Sequence, residues 1–365
     1  MGKQSTTQKI FKYVLQNAKD VTDTFDVNLG DIPQDVVASR QQAEPHIKNV
    51  RQLMEEKRLE PDTDLSNVEL GLIDMSEWVK VHGEPIREAL KSGDVVAIDG
   101  TPLLQLQRFL TTQVYACAIG TLTYRDNLAL KAQVVKTQAS QELFQDIDAT
   151  TRHIKETERL SSSRSWPAAF LEYKERQTGY NHHAKYVLID GPLITQNLLT
   201  QTEGRELYTK MLGVNRKCYV GVTKDLRFAD TEERYEAVAL HAGELFIRNT
   251  EYNVMRERLE KDYRGAVKTW SEDYLRDIFR GIYKPGRKAF GFQCHRDDLP
   301  LVVCLLSMDC HPQPGHEIPF LLEQVDAKIR GRYRPTETMS AIEATLARHN
   351  MDEFYDETEE RMFRK

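Results

Sequence analysis

Hydrophobic and polar positions along the chain change period several times, and each change predicts an element. Over residues 1–92 apolar positions recur at helical spacing in polar surroundings, which predicts helices over 7–18, 44–58 and 75–91. The last of these places Trp78, Val79, Ile86 and Leu90 on one face, and Pro33, Pro45 and Pro61 punctuate the stretch. From Val95 the pattern becomes strand-like, with runs over 95–99, 112–124 and 129–136. Helices are predicted over 140–160 and 166–177, then a strand over 185–190, a helix over 204–212 and a strand over 217–224. The charged stretch 231–280 reads as two or three helices. Strands are expected again over 289–294, over the apolar run 299–308 and, more weakly patterned, over 317–322, before a last helix over 337–349. Hairpin strands first, then strands alternating with helices, point to an α/β fold built on a mixed sheet flanked by helices. The expected organisation is a helical N-terminal extension over 1–92, a core domain over 93–350 with a helical insertion at about 231–285, and an acidic tail over 351–365.

Composition changes this picture little. A hydrophobic fraction of 40% and a charged fraction of 29% describe an ordinary globular chain, with neither collagen-like nor disordered bias. Its apolar runs fall well short of the ~20 residues that span a bilayer, so no membrane span is expected. The first residues lack the apolar core of a secretory signal and match a myristoylation start only loosely. Five cysteines, Cys117, Cys218, Cys294, Cys304 and Cys310, sit mostly inside apolar runs without a Cys-x-x-Cys knuckle, which suits reduced core thiols and a cytoplasmic location better than disulfides or a zinc site. The net charge of −6 argues against indiscriminate coating of nucleic acid. Acid gathers at 352–360, however, while Lys328, Arg330, Arg332 and Arg334 form a local basic run able to meet phosphates, and a groove needs local rather than total positive charge.

Two segments carry the candidate chemistry. Val95-Val96-Ala97-Ile98-Asp99-Gly100 and Tyr186-Val187-Leu188-Ile189-Asp190-Gly191 each run β-formers into an aspartate followed by glycine. Two such strands side by side would converge two carboxylates, and carboxylates that cannot neutralise one another commonly hold a hard divalent cation. Between them, Glu172 and Glu175 lie three apart on a predicted helix and share a face, so one of them can project toward the strand that follows.

These segments, with Gly191-Pro192-Leu193-Ile194 and Tyr219-Val220-Gly221-Val222-Thr223-Lys224 in the same order, resemble the NurA nuclease family over residues 95–349. The resemblance implies an RNase H-like fold and a Mn²⁺- or Mg²⁺-dependent hydrolase that degrades DNA, in repair or anti-phage defence. It also implies a homodimer docked on a HerA-type hexameric ATPase; the helical region 7–91, which carries amphipathic helices and no candidate catalytic residue, is the expected contact. By position it makes Asp99, Glu172 and Asp190 metal ligands and Lys224 a catalytic lysine. The family's closing helix carries a histidine. Here the matching segment runs from Tyr333-Arg334-Pro335 to Ala341-Ile342-Glu343-Ala344-Thr345 without it, leaving Glu343 as the expected substitute ligand and Thr345 and His349 as other candidates. Two-metal hydrolysis needs acidic ligands that hold cations ~3.5–4 Å apart. No P-loop motif is present, so energy for translocation would have to come from a partner. Two other readings stay open: an adaptor that couples an ATPase to DNA without cleaving it, and a nuclease acting on RNA.

Overall fold

The computed structural model describes residues 31–109, 112–138, 165–213, 216–224, 226, 231–261, 263, 265–310, 317–333, 340–341, 344 and 348. The predicted helices over 7–18 and 140–160, the acidic tail, and Arg334, Glu343, Thr345 and His349 lie outside the described residues. The chain divides into two units, 1–48 and 49–365, and the helix α1 (Asp31–Glu55) runs through that boundary.

The second unit is built on one sheet. Its strands are β1 (Gly71–Asp74), β2 (Val95–Phe109), β3 (Thr112–Leu122), β4 (Ala129–Gln138), β5 (Tyr186–Asp190), β6 (Cys218–Thr223), β7 (Glu244–Thr250), β8 (Ile278–Lys284) and β9 (Phe290–His295). They lie in the order β1-β7-β8-β9-β6-β5-β2-β3-β4. β2, β3 and β4 pair antiparallel in succession, whereas β5 adds parallel to β2 and β6 parallel to β5. Three antiparallel strands with two more parallel to the first is the strand order of an RNase H-like core, the fold that the resemblance implied. β9, β8, β7 and β1 extend it on the far side, each antiparallel to its neighbour.

Alternation along the strands splits the core into two layers. Val95, Ala97, Leu188, Val220 and Val222 face α2 (Met75–Ser92), α9 (Leu299–Met308) and α10 (Phe320–Arg332). Val96, Ile98, Val187, Ile189 and Tyr219 face the opposite way. That side is covered by α3 (Ser165–Asn181), α4 (Gln196–Leu199), α5 (Thr202–Leu212), α7 (Glu251–Lys261) and α8 (Ala266–Tyr274), while α6 (Thr231–Ala239) precedes β7. Central parallel strands buried on both faces read as continuous apolar runs, which is why 95–98 and 186–189 stand out in the sequence.

Several expectations are corrected. The run 299–308 is a helix, not a strand: Pro300 sits in its first turn, where no hydrogen bond is lost, and Leu299, Val302, Val303 and Leu306 are buried together. Residues 320–322 open α10 and do not form a strand, so Lys328, Arg330 and Arg332 ride on that helix. The insertion at 231–285 is not wholly helical, because β7 and β8 join the sheet within it. Nor is the extension separate as far as residue 92: β1 pairs with β7, and α2 buries Met75, Trp78, Ile86 and Ala89 in the core. No described helix is long and apolar enough to cross a membrane. Cys117, Cys218, Cys294 and Cys304 are buried free thiols, and Cys310 is half-buried.

Candidate active site

Asp99 and Asp190 come together because β2 and β5 run parallel in register, Ile98 opposite Ile189. β5 ends at Asp190, and Gly191 turns away with φ 92°. β2 does not end where expected but continues through Gly100 to Phe109, so Asp99 projects from mid-strand at the level where its parallel partner stops. By alternation both carboxylates stand on the face covered by α10, and Lys224, two residues beyond Val222, falls on the same face.

Asp99 is 4% exposed, and its Oδ2 is buried without a hydrogen-bond partner. Burial and then the adjacent Asp190 carboxylate raise its pKa far above the usual carboxylate range, with Lys224 opposing them. Lys224 Nζ lies 2.6 Å from Asp190 Oδ2 and 3.8 Å from Asp326 Oδ2. Burial lowers the lysine pKa, but Asp190, Asp99 and Asp326 together raise it above its ordinary value.

Asp326 is the site residue that motif reasoning missed. Its helix α10 lies close over β3 because Gly120, the cross-strand partner of Asp99, has no side chain: a Cβ there would stand 2.7 Å from Ile329 Cδ1 and 2.9 Å from Val325 Cγ2. That approach sets Asp326 beside Lys224, and its other oxygen accepts from Arg330 Nε at 2.7 Å. No local sequence pattern marks it, because a carboxylate beside the stripe of Leu322, Val325 and Ile329 reads as an ordinary solvated flank until α10 is seen to close on Gly120.

The helix carboxylates sit differently. Glu172 Oε2 accepts from Thr195 Oγ1 at 2.6 Å and its Oε1 from Asn197 Nδ2 at 2.9 Å, so both oxygens are engaged. Glu175 is buried, with its Oε1 2.5 Å from where a Cβ on Gly100 would be. Burial is the chief cause of its rise to about 8, opposed by Arg176 and reinforced by Asp190 and Glu172. Gly100 faces the layer of α3, one step out of phase with Asp99, so the α3 glutamates approach from across the sheet. Accordingly, no three His, Cys, Asp or Glu side chains among the described residues are close enough to hold a metal ion by themselves. The donor chemistry of the Asp99–Asp190 pair nonetheless fits a hard cation: two carboxylates side by side, one with an orphaned buried oxygen. Of the basic run, Lys328, Arg330 and Arg332 are all exposed on α10, with Lys328 and Arg332 a helical turn apart.

No protein-family profile matches the sequence, and no curated protein matches it. Among solved structures the chain is similar to the NurA nuclease from Sulfolobus solfataricus, at 12% identity and a TM-score of 0.40, covering 74% of this chain and 95% of that one. It is similar to a NurA structure with manganese at 10% identity and a TM-score of 0.40, covering 75% and 95%. Endonuclease_V from Bacillus subtilis aligns at 10% identity and a TM-score of 0.33, covering 80% and 93%.

Proposed function

We propose that this chain is a divalent-cation-dependent nuclease that hydrolyses DNA phosphodiester bonds. The observation that carries this reading is Asp99 Oδ2, a buried oxygen without a partner, beside a second carboxylate on the adjoining parallel strand. Leaving such an acceptor unsatisfied costs about 1–3 kcal/mol, which a fold retains where a ligand is to complete the site. Asp99 and Asp190 would hold Mn²⁺ or Mg²⁺, whose chemistry there is Lewis acidity toward a phosphoryl oxygen and activation of water. Lys224, a quarter exposed at the mouth of the pair, is suited to orient the scissile phosphate. Lys328 and Arg332 would meet flanking phosphates. Glu172 enters this reading as a support for the loop after Asp190, through Thr195 and Asn197.

Assembly follows the same reading: a homodimer bound to a HerA-type hexameric ATPase, in DNA repair or anti-phage defence in the cytoplasm, with residues 1–48 as the contact segment. Removing 1–48 leaves the sheet whole, so that truncation tests the partner surface, whereas removal up to residue 91 would take β1 and α2 with it. Sedimentation as a monomer, or ATPase binding unchanged by the truncation, would count against this assembly.

One observation favours the adaptor reading. The Lys224 ammonium already neutralises Asp190, so the pair has a counter-charge without any cation. Digestion of labelled single- and double-stranded DNA and RNA, with Mn²⁺, Mg²⁺ or EDTA, separates the readings. Cation-dependent cleavage of DNA that is lost in Asp190→Ala supports the nuclease; binding without cleavage under all conditions supports the adaptor; preference for RNA overturns the substrate class.

A further inference from the structure

Arg176 is the most completely enclosed charge near the carboxylate pair. Its side chain is 1% exposed, and its guanidinium spans the gap between α3 and the loop that follows Asp190. Nε donates to Leu193 O at 3.0 Å, and a terminal nitrogen donates to Pro192 O. The other terminal nitrogen donates to Glu172 O at 2.9 Å and to Glu175 Oε2 at 3.2 Å. One cation thus grips two consecutive carbonyls of the loop and ties them to the helix that carries both glutamates.

The loop is pressed from the other side as well. Gly221 of β6 has no room for a Cβ, which would stand 2.2 Å from Leu193 N and 2.8 Å from Gly191 O. Farther along, Ile194 N donates to Gln293 Oε1 at 2.9 Å, Gln293 Nε2 donates to Glu251 Oε2 at 2.7 Å, and Thr195 N donates to Tyr208 OH at 3.0 Å. The backbone from Gly191 to Thr195 is therefore clamped on every side, starting one residue after Asp190. Burying a guanidinium carries a desolvation cost, offset here by Glu175 and three backbone carbonyls, and replacing such a group with apolar side chains would often stabilise a fold. A structural filler has no need of that cost.

We propose that Arg176 is a positioning residue for the metal-binding Asp190: by holding Pro192 O and Leu193 O it fixes where that carboxylate points, and its pairing with Glu175 anchors the guanidinium on α3. This role rests on the nuclease reading above, in which Asp190 holds a divalent cation. Lysine cannot reproduce it, because a point-like ammonium lacks the planar fork that reaches both carbonyls and the helix together.

The test measures Mn²⁺ binding to the full chain by electron paramagnetic resonance of the free ion. Thermal unfolding and cleavage across a Mn²⁺ titration accompany it, for wild type, Arg176→Lys, Gln293→Leu and Asp190→Ala. Loss of groups that orient metal ligands typically costs 10–100-fold in affinity. Arg176→Lys should therefore bind Mn²⁺ about tenfold or more weakly and recover cleavage at raised Mn²⁺, whereas Asp190→Ala recovers none. A folded Arg176→Lys with wild-type Mn²⁺ affinity overturns the proposal. If that variant fails to fold, Gln293→Leu, which frees the same loop at Ile194, carries the test: weakened binding supports it and unchanged binding overturns it. A wild-type chain that binds no Mn²⁺ overturns the metal reading itself and this role with it, a result distinct from an unaffected variant.

Discussion

Lys224 and Asp190 form an ion pair at 2.6 Å across the ends of two parallel strands, each side chain about three-quarters buried. Asp326 shares the ammonium from α10. Lys224→Met should leave Asp190 and Asp326 facing one another beside Asp99 with that ammonium gone. A partly buried pair broken on one side costs more than a surface bridge, and about 1–2 kcal/mol is expected here. Thermal unfolding in EDTA would show a lower Tm, and added Mn²⁺ should raise the variant's Tm by more than it raises wild type's. An unaltered Tm in EDTA would mean the lysine carries no such charge burden.

Asp99→Asn separates fold from chemistry. Burial and Asp190 hold the Asp99 carboxyl far above its usual range, so the cation-free protein favours the neutral form there. The amide has the same shape and no charge, and the variant should be as stable as wild type or more so. It should also lose Mn²⁺ binding and cleavage, because a neutral amide is a poor substitute for a carboxylate ligand. A folded Asp99→Asn that cleaves DNA at the wild-type rate would remove Asp99 from the site.

Much of the sheet was legible in the sequence, for a physical reason. Strands buried on both faces must be apolar at every position, and 95–98 and 186–189 announce themselves that way. The same rule misleads at 299–308, where a helix buried all round has no polar stripe and periodicity cannot distinguish it from a strand. β7 and β8 were hidden because Arg248, Asn249 and Arg280 interrupt their apolar runs, and the neighbours that stabilise them are distant in sequence. The two aspartates were legible as a motif. Asp326 was not, since it joins them through the close approach of α10 at Gly120, and no local pattern records that contact. The choice between Glu172 and Glu175 was likewise invisible: it turns on which rotation of α3 faces Gly100 and which faces Thr195.

Glu251 gives the stability curve a sign. Burial raises its pKa from 4.5 to about 7, against the pull of Arg280 and of Gln293. An unfolded chain releases this proton near 4.5 while the folded one keeps it to about 7. The folded state therefore binds more protons between those values, and stability falls as pH rises through that window. The penalty is complete above it, on the order of 3 kcal/mol. Glu251→Gln keeps an acceptor for Gln293 Nε2 and removes the titration, so its Tm advantage over wild type should be small at pH 5 and grow toward pH 8. A difference independent of pH would show that Glu251 ionises normally in the folded protein.

The basic run on α10 divides by its geometry. Lys328 and Arg332 are four residues apart on one side of the helix, whereas Arg330, also exposed, lies on another side and pairs with Asp326 at 2.7 Å. If the first two neutralise phosphates, each lost contact shallows the dependence of log affinity on log salt by ~0.7–0.9. Replacing both Lys328 and Arg332 with Gln should then reduce the slope by about 1.4–1.8 and weaken binding alike for every DNA sequence. Arg330→Gln should change the slope far less, because its charge is already spent on Asp326. Fluorescence anisotropy of labelled DNA between low and moderate salt measures both, with Mn²⁺ binding as the control that neither variant should disturb. An unchanged slope in the double variant would remove this face of α10 from the DNA path, and a large change in Arg330→Gln alone would reverse the assignment.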